Sequence, residues 1–134
     1  MEFIKNKIMK KYISILLLFL SINVFSQEGD LEWHTDLNKA IEISIESEKP
    51  LFMFFTGSDW CGWCIRLQKE VFFKPDFVKW AKENLVLVEL DFPRRKKLEE
   101  SLKQQNENLR QMFAVRSYPT GWFVVPQIEE NKVN

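Results

Sequence analysis

The stretch Leu51-Phe52-Met53-Phe54-Phe55 is apolar at every position and is bounded by Gly57 and Ser58. A strand without polar alternation needs cover on both faces, so it belongs at the centre of a sheet flanked by helices. The chain then enters Cys61-Gly62-Trp63-Cys64 and a segment of helical composition. A buried strand therefore delivers two cysteines into the first turn of a helix.

Residues three apart on such a turn share a face, with Cβ atoms about 5 to 6 Å apart, so Cys61 and Cys64 can bond or separate with small adjustment. Closing so small a ring removes little unfolded-chain entropy compared with the roughly 3 kcal/mol expected of a 15-residue loop, which makes the bond a poor staple. Redox exchange is the better use of the pair. Cys61 is expected to face solvent beside the unpaired N–H groups of the turn, whose positive potential favours a thiolate. Cys64, one turn in, is expected to be shielded. Cys61 would attack and Cys64 would resolve.

These residues resemble the thioredoxin family, and especially its exported bacterial thioredoxin-like, thiol-disulfide interchange members. The similarity is carried by Phe55-Thr56-Gly57-Ser58-Asp59-Trp60-Cys61-Gly62-Trp63-Cys64 together with Arg116-Ser117-Tyr118-Pro119-Thr120, and spans about Trp33 to Val125. The resemblance implies an α/β, thioredoxin-like fold, a central mixed sheet flanked by helices. It also implies a cis peptide before Pro119, packed with Tyr118 beside the cysteine pair. Trp60, Gly62, Trp63, Tyr118 and Pro119 are the candidate substrate-binding residues, and Cys61 and Cys64 the catalytic ones. Many family members carry a buried Asp on the strand before the motif as a proton relay; Phe54 and Phe55 stand at the nearest positions here. The Gly-Trp dipeptide lacks the His of strongly oxidising relatives, which favours a reductase or interchange direction.

No cofactor is expected beyond the redox-active Cys61–Cys64 pair, and no metal: zinc wants about four ligands, and His34, remote in sequence, is the only further candidate. His34 is expected at the surface, and Asp59 as a loop cap or surface group. Partners would be protein thiols and disulfides plus an unidentified redox partner.

Met1 to Phe25 has the layout of a secretory signal, with Lys5, Lys7, Lys10 and Lys11 ahead of the apolar run Ile15 to Leu20. The expected division is a signal peptide over 1–26, cleaved after Ser26, and a thioredoxin-like domain over 27–134, periplasmic or secreted. The apolar core is short of the roughly 20 residues that span a bilayer, so membrane attachment would need the segment to stay uncleaved. Of the 19 basic and 19 acidic residues, processing removes four and one, which leaves about −3. A slightly acidic domain has no electrostatic reason to bind nucleic acid.

Along the chain, strands are expected at Leu31-Glu32-Trp33, Leu51 to Phe55, Leu85 to Leu90 and Trp122 to Val125. Helices are expected from Asp36 to Glu48, Cys61 to Val71, Phe77 to Glu83 and Leu98 to Phe113. The last of these should bury Leu102, Leu109, Met112 and Phe113. Arg94-Arg95-Lys96-Lys97 is expected to be a solvated loop rather than a dock for an acidic partner. The residues after Val125 are too few for the family's last strand and helix, so a C-terminally incomplete domain is expected, with the Trp122 strand at the sheet edge. Rival readings are a non-catalytic binding module or holdase, and an inactive truncated product.

Overall fold

The computed structural model describes residues 31–129 and 132–133. The expected signal segment, 1–26, lies outside them. Four strands, β1 (Trp33–His34), β2 (Leu51–Thr56), β3 (Val86–Asp91) and β4 (Thr120–Val124), form one mixed sheet in the order β1-β3-β2-β4. β1 and β2 both run parallel to β3, whereas β4 runs antiparallel to β2. The helices are α1 (Leu37–Ser47), α2 (Gly62–Leu67), α3 (Pro75–Asn84) and α4 (Glu100–Met112). Two short pieces, β5 (Ile128–Glu129) and β6 (Lys132–Val133), pair with each other in a separate sheet. Among the described residues β4 has a neighbour on one side only, the expected edge.

All six residues of β2 are buried, and their alternation divides the interior in two. Leu51, Met53 and Phe55 pack with Val86, Val88 and Leu90 of β3, Ala40 of α1 and Leu109 of α4. Phe52 and Phe54 point the other way, into a cluster with Leu85, Leu87, Phe72, Ala81, Cys61 and Cys64. Rings knit this second layer together: Phe54 meets Phe72 edge-on at 5.0 Å and Trp33 at 5.9 Å. Two apolar layers explain why the strand is apolar from Leu51 to Phe55, with Thr56 as its one polar residue at the end.

Local signals set the helix ends. Asp36 caps α1 by accepting the backbone N–H of Asn38 at 2.9 Å and of Lys39 at 3.3 Å. At the other end Glu48 adopts a left-handed conformation, φ 54°, and the Lys49 N–H returns to the Ser44 carbonyl at 3.2 Å. Pro50 then starts the chain into β2.

Three expectations change. The helix from the cysteines is α-helical only to Leu67 and then widens into a π turn, Gln68–Phe72, marked by the Phe73 N–H bonding five residues back to Gln68 at 2.9 Å. Within this widened turn Phe72 is buried against Phe52 and Phe54 while Phe73 is exposed. In α4, Met112 is 74% exposed and Asn106 is buried instead. The Asn106 amide donates to the Asp91 carbonyl at 2.9 Å, and Gln105 accepts from Leu37 N–H and donates to the Thr35 carbonyl. Polar bonds to neighbouring backbone, rather than an apolar stripe alone, seat this helix. His34 is not a surface residue: its side chain is 10% exposed, in β1 beside β3.

Candidate functional site

The cysteine pair lies just beyond the end of β2. The Gly57 carbonyl accepts the N–H groups of Trp60 at 3.2 Å and Cys61 at 2.8 Å, folding residues 57–61 into a tight loop ahead of α2. Glycine is required there by close approach: a Cβ at Gly57 would lie 2.4 Å from Cε2 of the Trp60 indole. Asp91, at the end of β3, clamps the loop by accepting the Ser58 N–H at 2.8 Å and its hydroxyl at 2.5 Å.

Cys61 is the N-cap of α2, and its sulfur accepts the Cys64 backbone N–H at 3.2 Å. A helix N-terminus thus directs an N–H at this sulfur, the position that favours negative charge on it. The two cysteines form a disulfide, with Cα atoms 5.3 Å apart. Cys61 does not face solvent as expected. It is 5% exposed and Cys64 is 0%, both inside the cluster of Phe52, Phe54 and Phe72, against which Trp60 and Tyr118 pack. The asymmetry between the two survives, but on a smaller scale.

Of the expected substrate-binding residues, Trp60, Tyr118 and Pro119 come together. The Trp60 indole N–H donates to the Phe92 carbonyl at 2.7 Å, and its ring meets Tyr118 edge-on at 5.7 Å; Tyr118 packs in turn on Phe92 at 5.2 Å. The Tyr118–Pro119 peptide is cis. β4 begins at Thr120, which pairs with Phe55, so the register carries Pro119 to the cysteine end of the sheet. Burial pushes the Tyr118 phenol above its ordinary value, against the opposing pull of the Arg110 cation. Trp63 stands apart at 68% exposure, with the Arg66 guanidinium 5.4 Å from its ring centroid. Gly62 opens to free space, with no atom within 4 Å of where a Cβ would sit.

Asp59 is the expected cap, but the loop that it caps lies far along the chain. Its carboxylate accepts three consecutive backbone N–H groups, from Arg94 at 2.9 Å, Arg95 at 2.7 Å and Lys96 at 3.1 Å. The Arg94 amide above all, with those of Arg95 and Lys96, holds its carboxyl below the usual value of 3.8. A carboxyl depressed in the folded state contributes stability above its unfolded pKa, and that contribution is lost as pH falls through the folded value. The basic loop is therefore expected to loosen only in strong acid. Asp59→Ala should loosen it at neutral pH, with amide exchange at Arg94, Arg95 and Lys96 faster by about tenfold or more, because three bonds go at once. Unchanged exchange in the variant would remove Asp59 from this role.

A half-buried acid and a buried hydroxyl on the cysteine side have no signature in the local sequence. Glu89 lies across from Phe54 in the β2–β3 register, on the face of Leu85 and Leu87. Burial, with the nearby Asp91 charge, raises its carboxyl above the ordinary value. The Thr56 hydroxyl, at the end of β2, is buried without a hydrogen-bond partner.

A mixed sheet with a disulfide at a helix N-terminus after β2 and a cis-proline just before the neighbouring β4 defines a thioredoxin-like domain. The chain belongs to that family, whose sequence pattern, described as a thioredoxin-like domain, matches residues 37–129. It is 36% identical over 96 residues to the disulfide bond reductase DsbH of Chlamydia pneumoniae, covering 72% of this chain and 57% of that protein. It is 34% identical over 114 residues to the thioredoxin-related protein DsbJ of the same organism, covering 81% of this chain and 33% of that one. The chain thus spans less than two thirds of either relative. Among solved structures, a DsbH oxidoreductase superposes with a TM-score of 0.67 at 36% identity, over 71% of this chain and 65% of that one. A thioredoxin from Thermus thermophilus superposes with a TM-score of 0.55 at 13% identity, over 79% and 72%, which speaks for the fold alone.

Proposed function

We propose that the protein is an exported thiol-disulfide oxidoreductase that reduces or exchanges disulfides of other proteins through Cys61 and Cys64. The observation that carries the reading is the geometry of the pair, a nearly covered Cys61 sulfur held by the Cys64 amide with a fully buried Cys64 behind it. The reductase named among its relatives supports the direction. Export rests on the layout of residues 1–26. Among the described residues no helix is long and apolar enough to cross a membrane.

In the reducing direction the Cys61 thiolate attacks one sulfur of a substrate disulfide, and the other substrate sulfur leaves as a thiolate that takes up a proton. Cys64 then loses its proton and attacks the Cys61 sulfur. The second substrate thiol departs, and the Cys61–Cys64 disulfide remains. Two electrons have passed to the substrate, and a redox partner returns two to the pair. The protein needs no further cofactor for this, since the cysteine pair is the redox group. Gly62 and Pro119 would leave room for an extended substrate segment, with Trp60, Trp63 and Tyr118 as its apolar walls.

The test is reduction of insulin by dithiothreitol, followed as turbidity. The wild-type protein is expected to shorten the lag, and Cys61→Ser to return it to the uncatalysed value. Equal rates for the two would overturn the proposal.

A further inference from the structure

We infer that the four cations of residues 94–97 form a fixed electropositive rim beside Cys61, which docks an acidic segment of the protein whose disulfide is exchanged. The inference rests on the thiol-disulfide reading above and adds a substrate class to it.

A run of basic residues on a mobile loop contributes little to recognition, because ordering the backbone and the long side chains cancels the charge attraction. This loop is already ordered. Asp59 holds the amides of Arg94, Arg95 and Lys96, so the backbone that projects the four side chains is set before any partner arrives. The same bonds engage the one carboxylate closest in sequence to Cys61 and leave the side-chain cations facing outward, where all four are exposed.

The rim abuts the disulfide. The Arg94 guanidinium carbon lies 3.9 Å from the ring centroid of Trp60, the residue that immediately precedes Cys61. The Lys96 ammonium reaches the Ser58 hydroxyl at 3.5 Å, in the loop that leads into the pair. A substrate sulfur that approached Cys61 would bring its flanking residues over these groups. Among the described residues none of the four cations lies within ion-pair distance of a carboxylate side chain, although the Arg95 charge acts on Asp59 and that of Lys96 on Glu89. Of the other acids near the loop, Asp91 is engaged by Ser58, Glu100 by Lys103 and Glu107 by Arg110, while Glu99 is exposed.

The remainder of the domain carries an acidic excess, so positive charge is concentrated at the redox end against the overall balance. That pattern steers an acidic patch onto one end and repels a long polyanion from the rest of the surface. A disulfide is also a protein group. An acidic stretch of polypeptide near a cystine therefore fits better than nucleic acid or an anionic lipid surface.

The test uses two disulfide-linked peptides that differ only in flanking residues, four Asp or Glu in one and four Gln in the other. The wild-type kcat/KM for the acidic peptide is expected to exceed that for the neutral one by about tenfold at low salt, and the preference should vanish at high salt. The double variant Arg95→Gln, Lys97→Gln should cut the ratio to about twofold. Equal rates for the two peptides in the wild type would overturn the inference while leaving the oxidoreductase reading intact. Docking is read separately by fluorescence anisotropy of the same peptides with Ser in place of Cys. Acidic-selective, salt-sensitive binding would uphold the rim even if neither peptide were reduced, an outcome that would sink the proposed activity alone. Tighter binding of an oligonucleotide or of phosphatidylglycerol vesicles than of the acidic peptide would overturn the rim's assignment to protein.

Discussion

Cys64→Ser protein, reduced and mixed with a disulfide substrate, is expected to accumulate as a covalent adduct through Cys61. Cys61→Ser is expected to form none. Cys64 is fully buried, so an incoming substrate meets Cys61 first, although only 5% of that residue is exposed. With Cys64 gone, nothing on the protein can displace the captured substrate, and the first half of the exchange becomes its end point. Steady turnover should fall by about a thousandfold or more in either variant, since the two sulfurs act as a unit and the loss of one is close to the loss of both. Intact-mass analysis separates the cases. An adduct on Cys64 in the Cys61→Ser protein, at a rate matching that on Cys61, would reverse the assigned roles.

The second large effect concerns Phe54. Its side chain is 1% exposed and packs between Trp33 and Phe72, in the cluster that also contains both cysteines. Phe54→Ala should cost about 3 to 5 kcal/mol, the range for a large buried ring whose neighbours cannot close the space. Against a total of about 5 to 15 kcal/mol for a domain, this is about a fifth or more of the stability. Phe123→Ala, at a ring that is 63% exposed on the edge strand, should cost far less. Urea midpoints at unchanged slope decide the comparison, and similar losses for the two variants would mean that the cysteine side is not a close-packed layer.

The parts of the fold that could be read from the chain are those set by neighbouring residues. The unbroken apolar β2, the cap at Asp36, the stop at Pro50 and the start of a helix at the cysteines each depend on a few adjacent side chains. The cis peptide at Pro119 came from family resemblance, since most X-Pro bonds are trans. What stayed hidden depends on partners far along the chain. Asp59 finds its three amides 35 to 37 residues away, and Asn106 finds the Asp91 carbonyl 15 away. No periodicity marks such a bond in advance. Met112 has the spacing of a buried position yet points to solvent, because α4 is held at Asn106 and Gln105 by bonds an apolar count does not see. Cys61 was expected to be open because the first turn of a helix usually is; it is instead part of the buried cluster against which the rings of Trp60 and Tyr118, from two separate loops, pack.

The strand β2 also acts as a bulkhead. Both cysteines belong to the compartment of Phe52 and Phe54, and the opposite compartment of Leu51, Met53 and Phe55 holds no sulfur except that of Met53. Under the proposed activity, each opening and closing of the Cys61–Cys64 bond would fall in one chamber, and the other would be left to hold the sheet in register. A bond made and broken in the interior would then disturb only half of it.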